Sequence, residues 1–300
     1  MHLMLGWWNT ALSPTKKKNR ANNKELEAAS TVVRFLLETV KVDFLALGEV
    51  SPEDIKALTE FLGETLQDFV VVPTQEKSGR SSFDTSLIYQ KWLRVNTRES
   101  VIRRKLEQST RVAQRFDLEV PTGEVLRTYV SHWPSRGTLG AWDPDRMTLG
   151  NALRGSVDVA LEENPSAPLV LLGDFNDEPF DPVMDCALFS SRDKTLASKT
   201  QGLLYNPFWR HMSCYKHTTK EHQFSDKGTY FHAGGQITKW RTFDQMMFSS
   251  SLLNGKSGWL LDENFTRVVD VPNLVETLED KSNIFDHMPI IGRIVKEGLA

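Results

Sequence analysis

The sequence predicts an α/β protein, read as one domain over residues 1–300 with two sheets in its core and helices outside. Three observations carry this. Short apolar runs of strand length alternate with longer stretches whose apolar residues recur at helical spacing. The chain passes through two rounds of strand, helix and strand, one on either side of about residue 120. No low-complexity linker, Gly/Ser stretch or short-period repeat divides it, and 16 Phe and 8 Trp supply a sizeable core without disulfide or metal staples.

In order, residues 3–8 (LMLGWW) read as a buried strand that ends at Asn9. Residues 13–23 are a polar loop whose Lys16, Lys17, Lys18 and Arg20 either meet phosphate or form a solvated rim. Residues 24–40 are helical, with Leu26, Ala29, Val33, Leu36, Leu37 and Val40 in register. Residues 44–47 form a strand followed by Gly48 and Glu49. Ser51 then caps a helix with Pro52 at its first position, running to about residue 66. Strands follow at 70–72 and 85–89, with a turn at 79–82, and another begins at 94. Residues 116–121 and 125–133 pair across Thr122-Gly123, and 144–163 hold a long helix. Residues 169–173 (LVLLG) are a strand apolar on both faces, and Pro182 opens a helix over 181–188. The segment 190–228, rich in aromatics, His, Lys and Ser, reads as loops overhanging a site. Strands at 228–232 and 242–249, a mixed stretch at 268–283 and a last strand at 288–295 complete the chain.

A net charge of −3 does not imply a wholesale polyanion-binding surface, so any nucleic-acid site is a local basic patch, helped by bound cations. Cys186 and Cys214 are far apart and lack CxxC spacing, which fits a reducing compartment and no zinc knuckle. Residues 1–8 make no secretory signal and no apolar run nears the ~18–20 residues of a membrane span, so the expectation is a cytoplasmic chain without a membrane span.

The stretch LVLLGDFNDE places Asp174 and Asn176 at one strand mouth, where Gly173 lets the backbone turn. A carboxylate that holds or deprotonates a water and an amide that donates to an oxyanion suit metal-assisted hydrolysis. Asn9, Glu49, His132, Asp244, Asp286 and His287 likewise follow or close apolar runs. Residues leaving the same end of packed sheets converge, and hard oxygen ligands beside histidine suit Mg²⁺ and acid–base work. Each also has a plain structural reading. Glu49 caps a helix, His132 is a satisfied interior histidine, and Asp286-His287 is a turn. Asp244 is the exception, since a charge entering an apolar strand is costly unless paired.

These pieces together resemble the endonuclease/exonuclease/phosphatase superfamily, which holds DNase I-like nucleases, apurinic endonucleases, inositol-polyphosphate phosphatases and neutral sphingomyelinases. The matching segments are WWN at 7–9, LGEV at 47–50, SHWPSR at 131–136, LLGDFND at 171–177, RTFDQMMFS at 241–249 and FDHMPI at 285–290, in the family's order. NPFW at 206–209 and GTYF at 228–231 are similar to segments of bacterial members. The resemblance implies a DNase I-like, four-layered α/β/β/α sandwich of two mixed sheets flanked by helices, and a phosphodiesterase or phosphatase dependent on Mg²⁺ or Mn²⁺. It implies Glu49 as the main metal ligand with Asn9 and Asp286 beside it, and Asp174 orienting the attacking water. Asn176 is then on the scissile phosphate, His287 is the general base or phosphate binder held by Asp244, and His132 is on the phosphate or leaving oxygen. Asp84 is the residue that would hold His132. Two departures, Ala11 where apurinic endonucleases carry an aspartate and His132 where they carry a tyrosine, point away from abasic-site repair. Phe285 replaces the usual serine before the last Asp-His, which leaves the local hydrogen bonding of that pair open.

The favoured substrate is nucleic acid, DNA first. The basic loop at 16–20, Arg136, Arg146 and the stretch 205–241 would track a backbone and stack bases. The rival is a phospholipid or small phosphate ester, for which Phe208-Trp209 is the candidate membrane patch. A third reading is a catalytically silent binding or partner subunit, against which the intact motif residues speak. His211, His217 and His222 are read as loop histidines, since their spacing matches no metal motif.

Overall fold

The structure, a computed structural model, describes residues 1–14, 20–78, 81–106, 108–213, 215–219, 222–226, 228–280 and 283–296, with backbone alone for 78, 81, 215–219 and 222–226. The main strands are β1 (His2–Asn9), β2 (Phe44–Gly48), β3 (Phe69–Pro73), β4 (Ser86–Gln90), β5 (Arg94–Thr97), β6 (Val101–Lys105), β7 (Gln108–Glu119), β8 (Val125–His132), β9 (Leu169–Asp174), β10 (Ser190–Ser191), β11 (Leu204–Tyr205), β12 (Asp244–Ser249), β13 (Trp259–Val268) and β14 (Ile290–Lys296). The helices are α1 (Asn23–Arg34), α2 (Pro52–Leu62), α3 (Pro144–Glu163), α4 (Lys194–Lys199) and α5 (Leu274–Glu279). One six-stranded sheet runs β13-β14-β1-β2-β4-β3. An eight-stranded sheet runs β10-β11-β12-β9-β8-β7-β5, with β6 on a further stretch of β7.

Strand period two sorts the apolar residues into three layers. Leu3, Leu5, Trp7 and Phe44 from the first sheet meet Phe116, Val130, Val170, Leu172 and Phe248 from the second. Met4, Trp8, Leu45 and Leu47 face the other way, onto Leu26, Val33, Leu36, Leu58 and Leu274 of α1, its continuation, α2 and α5. Leu169, Leu171 and Met247 face Leu149, Leu153 and Val157 of α3. The result is the expected α/β/β/α sandwich. Each fully buried Leu, Val or Phe contributes about 1.5–3 kcal/mol by leaving water.

The helix starts follow their capping residues. Asn22 with Glu25, and Ser51 with Asp54, form reciprocal capping boxes, and Asp143 caps α3 ahead of Pro144. The 24–40 helix ends in a wide π-helical turn, Phe35–Thr39. Four expectations change. The 181–188 helix is one wide turn, Val183–Ala187. The 190–228 stretch is more ordered than loops: it holds α4, a 3-10 turn at Pro207–Met212 and a hairpin of Tyr215–Thr219 with His222–Asp226. His211 therefore sits buried in the 3-10 turn and His217 and His222 lie on hairpin strands, none of them in a loop. The strand β13 was not expected, because polar residues and a register shift between Asp262 and Arg267 break its alternation. The centre of the 79–82 turn, Lys16 to Lys18 and Cys214 lie outside the described residues. Among the described residues no helix is long and apolar enough to cross a membrane.

Candidate active site

Two parallel strand pairs aim the site. β1 runs beside β2 with Asn9 opposite Gly48, and β8 runs beside β9 with His132 opposite Asp174. Antiparallel neighbours bring in the rest. β12 starts with Asp244 opposite Asp174, and β14 starts just after Asp286 and His287. All eight predicted residues thus collect at one edge of the two stacked sheets. Gly173 allows this, because at φ +144° it passes so close to β8 that an added Cβ would stand 1.9 Å from the carbonyl oxygen of Ser131. Glu49 and Asn176 leave their strands in the left-handed region, at φ +54° and +52°. That conformation is unfavourable for a side chain and is found where function over-determines the backbone.

Two His–Asp pairs face each other across one carboxylate oxygen. His287 Nδ1 is 2.7 Å from Asp244 Oδ2, and His132 Nδ1 is 2.8 Å from Asp84 Oδ1. Their Nε2 atoms lie 3.8 Å and 3.9 Å from the same Oδ2 of Asp174. Asn9 Nδ2 donates to that oxygen at 3.2 Å, while its Oδ1 accepts the Ala11 N–H at 3.2 Å. The Asn176 N–H donates to Asp174 Oδ1 at 2.8 Å, and its side-chain amide donates to the Trp133 carbonyl at 3.0 Å. Glu49 Oε1 is 3.7 Å from His132 Nε2, and Asp286 Oδ1 is 3.8 Å from His287 Nε2.

Several anchors were not singled out from the sequence. The Trp7 indole, buried between the sheets, donates to Asp244 Oδ1 at 2.7 Å, and the Trp8 indole donates to the His287 carbonyl at 3.0 Å. Arg111 holds Asp84 Oδ2 at 2.9 Å and the His132 carbonyl at 3.0 Å. Thr229 Oγ1 accepts the Asp244 N–H at 2.9 Å, while the Thr229 carbonyl and the Phe231 N–H pair with the backbone of Met288 and Asp286. That strap supplies the local hydrogen bonding left open by Phe285, which instead packs on Trp8 at 5.7 Å. Trp7 and Trp8 read as strand core and as part of the WWN segment, with no role at the site, and Arg111 lies between the stretches read as strands. GTYF at 228–231 was the one available signal for the strap.

Burial pushes Glu49 up to about 7; His132 and His287 oppose the rise, while Asp84 and Asp286 add to it. Burial and the Asp244 charge raise Asp174. For His287 burial works against protonation, but Asp244, Asp286 and Asp174 outweigh it and hold the ring protonated up to about 10. Burial also opposes protonation of His132, and Asp84 overrides it. Asp84 is held below the usual range despite burial, by His132 and Arg111.

The donor chemistry fits a divalent cation. Five carboxylates gather here against Arg111 and two histidines, and Glu49 is a partly buried carboxyl beyond hydrogen-bond distance of His132. Asp174, Asp244 and His287 also bring ligand-type atoms within 4.8 Å of one another, so this buried cluster could hold a metal by distance alone. Its lone pairs are already committed, however. His287 Nδ1 and Asp244 share a proton, and Asp244 takes the Trp7 N–H as well.

Some predicted cations and apolar residues lie elsewhere. Arg146 is 1 % exposed and pairs with Asp177 at 2.7 Å, so it holds the core together and does not track a backbone. Phe208 is fully buried, which removes half of the Phe208-Trp209 membrane patch. Arg136 donates to the Asn176 carbonyl at 3.0 Å and lies 4.7 Å over the Phe243 ring. Tyr230 stacks on Phe243 at 5.2 Å and lies 4.7 Å from His287.

The model of the Endonuclease/Exonuclease/phosphatase family matches residues 13–285. The human Nocturnin catalytic domain, solved with a bound sulfate anion, is similar at TM-score 0.60 and 15 % identity, covering 98 % of this chain and 94 % of that one. A family protein from Bacteroides thetaiotaomicron is similar at TM-score 0.56 and 12 % identity, covering 99 % of each chain. Truncated Caenorhabditis elegans TDP2 is similar at TM-score 0.56 and 14 % identity, covering 98 % and 97 %. No curated protein sequence matches the chain.

Proposed function

The chain belongs to the endonuclease/exonuclease/phosphatase family, whose members hydrolyse phosphodiester or phosphate bonds, and on that footing we propose that it is a metal-dependent phosphodiesterase acting on nucleic acid, DNA first. One observation carries the reading: two His–Asp pairs present Nε2 atoms to a single oxygen of Asp174, with Glu49 and Asp286 alongside.

Glu49 and Asp286 would hold a Mg²⁺ or Mn²⁺ ion, with Asn9 beside it; the ion's contribution is Lewis-acid polarisation of a phosphate oxygen. Asp174 orients the attacking water and takes its proton as the new P–O bond forms, with Asn9 fixing the carboxylate oxygen that does so. His287, protonated and held by Asp244, neutralises charge on the phosphate. His132, set by Asp84 and Arg111 and held toward its protonated form, would donate that proton to the leaving oxygen as the old P–O bond breaks. Asn176 takes charge on the phosphate as its geometry develops. Tyr230, partly exposed beside His287 and backed by the buried Phe243 ring, could take a stacked base, which supports a nucleic-acid substrate, whereas Arg136 is held by Asp181 and the Asn176 carbonyl. We take residues 1–300 as one domain working in the cytoplasm.

The test is a panel of plasmid, linear and single-stranded DNA, RNA, sphingomyelin and a generic phosphodiester, each with Mg²⁺ or Mn²⁺ and with EDTA. Metal-dependent cleavage of DNA that falls at least ~10²-fold in Asp174→Ala and His287→Ala supports the reading. Hydrolysis unchanged in either variant, or turnover of sphingomyelin alone, refutes it.

A further inference from the structure

A cavity of about 510 Å³ opens beside Glu49 and His132. It runs out between the β6–β7 hairpin and the loop that follows β8. The hairpin is tied to the start of α3, into which that loop leads, since Arg103 Nη2 lies 2.7 Å and Lys105 Nζ 3.1 Å from Asp145 Oδ1. The cavity's lining includes Gln108, Ser109, Thr110, Ser135 and Thr138, the last two joined hydroxyl to hydroxyl at 3.3 Å, with Pro134 and Leu139 as apolar neighbours. Trp142, 84 % exposed, stands on the same loop between Leu139 and Asp145.

The charges in this lining are already spent. Arg103 is paired with Asp145, and Arg111 with Asp84. Apart from Glu49, the described lining therefore offers no uncommitted cation for a second phosphate and no uncommitted carboxylate for a quaternary ammonium. It offers neutral donors and acceptors over apolar backing, which suits a ring system with polar edges, and the volume is that of a small-molecule pocket. We infer that this cavity is a nucleoside subsite, seating the base and sugar attached to the scissile phosphate on its His132 side. The inference rests on the phosphodiesterase reading above and adds to it the place where the nucleoside part of the substrate sits.

The experiment is calorimetric titration of the full chain, with Mg²⁺, using thymidine 3′-monophosphate, thymidine 5′-monophosphate, inorganic phosphate and phosphocholine. At least one thymidine monophosphate should bind about tenfold or more tighter than inorganic phosphate. Thr138→Trp and Ser109→Trp, which put an indole into the cavity from the loop and from the hairpin, should each abolish that gain and leave inorganic phosphate affinity unchanged. Equal affinity for all four ligands, a nucleotide gain that survives both variants, or a gain for phosphocholine instead overturns the inference. Failure of the underlying reading looks different: no phosphate affinity, together with no metal-dependent hydrolysis of any diester.

Discussion

Replacing Asp244 by Asn tests the His287 assignment most sharply. Asp244 is fully buried and accepts two hydrogen bonds at 2.7 Å, one from the Trp7 indole and one from His287 Nδ1. An asparagine has one acceptor oxygen. The indole can only donate, so it claims that oxygen and turns the amide NH2 toward His287. His287 Nδ1 must then accept, which places the remaining ring proton on Nε2, the atom that faces Asp174. The exchange removes the first of the carboxylates that hold this ring protonated up to about 10. A hydrogen bond to a charged group is worth ~1.5–3 kcal/mol, so its loss alone lowers the pKa by about 1–2, and the repulsion between the amide NH2 and a protonated Nδ1 lowers it further. The fold should survive, because Asn keeps the shape and the Thr229 bond to its backbone N–H. Ring-proton NMR titration reads the pKa, and steady-state hydrolysis should fall about 10²–10⁴-fold, the range for a mis-set catalytic histidine. An unmoved titration with activity retained would refute the role given to the pair.

Three further outcomes follow from the same geometry. Glu49 must lose its proton to bind a cation and titrates at about 7, so Mg²⁺ affinity measured by calorimetry should climb about tenfold per pH step of one below 7 and level off above it; a flat profile from pH 5 to 8 would remove Glu49 from the ligand set. Arg146→Ala removes the closest cationic partner of buried Asp177, leaving only Arg136 at 3.9 Å, and should cost ~3–5 kcal/mol of stability in urea unfolding, whereas a freely solvated arginine would cost almost nothing. Gly173→Ala forces a methyl group against the Ser131 carbonyl and should lower the unfolding free energy by about 3 kcal/mol and abolish activity, and a wild-type melt would contradict the close strand contact.

Much of the site was legible because strands of period two end on conspicuous polar residues. Asn9, Glu49, His132, Asp174, Asp244 and His287 each close or open an apolar run, and parallel pairing of β1 with β2 and β8 with β9 sends those ends to one edge. The supports were less legible because they act across the sandwich. Trp7 looks like core from its own strand, and only the stacking of two sheets reveals that its indole reaches Asp244, 237 residues away. Arg146 looked like a surface cation since nothing local marks its partner, Asp177, which lies 31 residues on. The β13 strand carries its polar face at a sheet edge, where alternation is no longer enforced by burial on both sides.

The central claim is that these side chains surround one cation beside one phosphate. Crystals soaked in Mn²⁺ and measured for anomalous scattering test it directly. The account predicts a manganese peak against the Glu49 and Asp286 carboxylates. A peak among Asp174, Asp244 and His287 with none at Glu49, or no peak at this edge of the sheets, would contradict it.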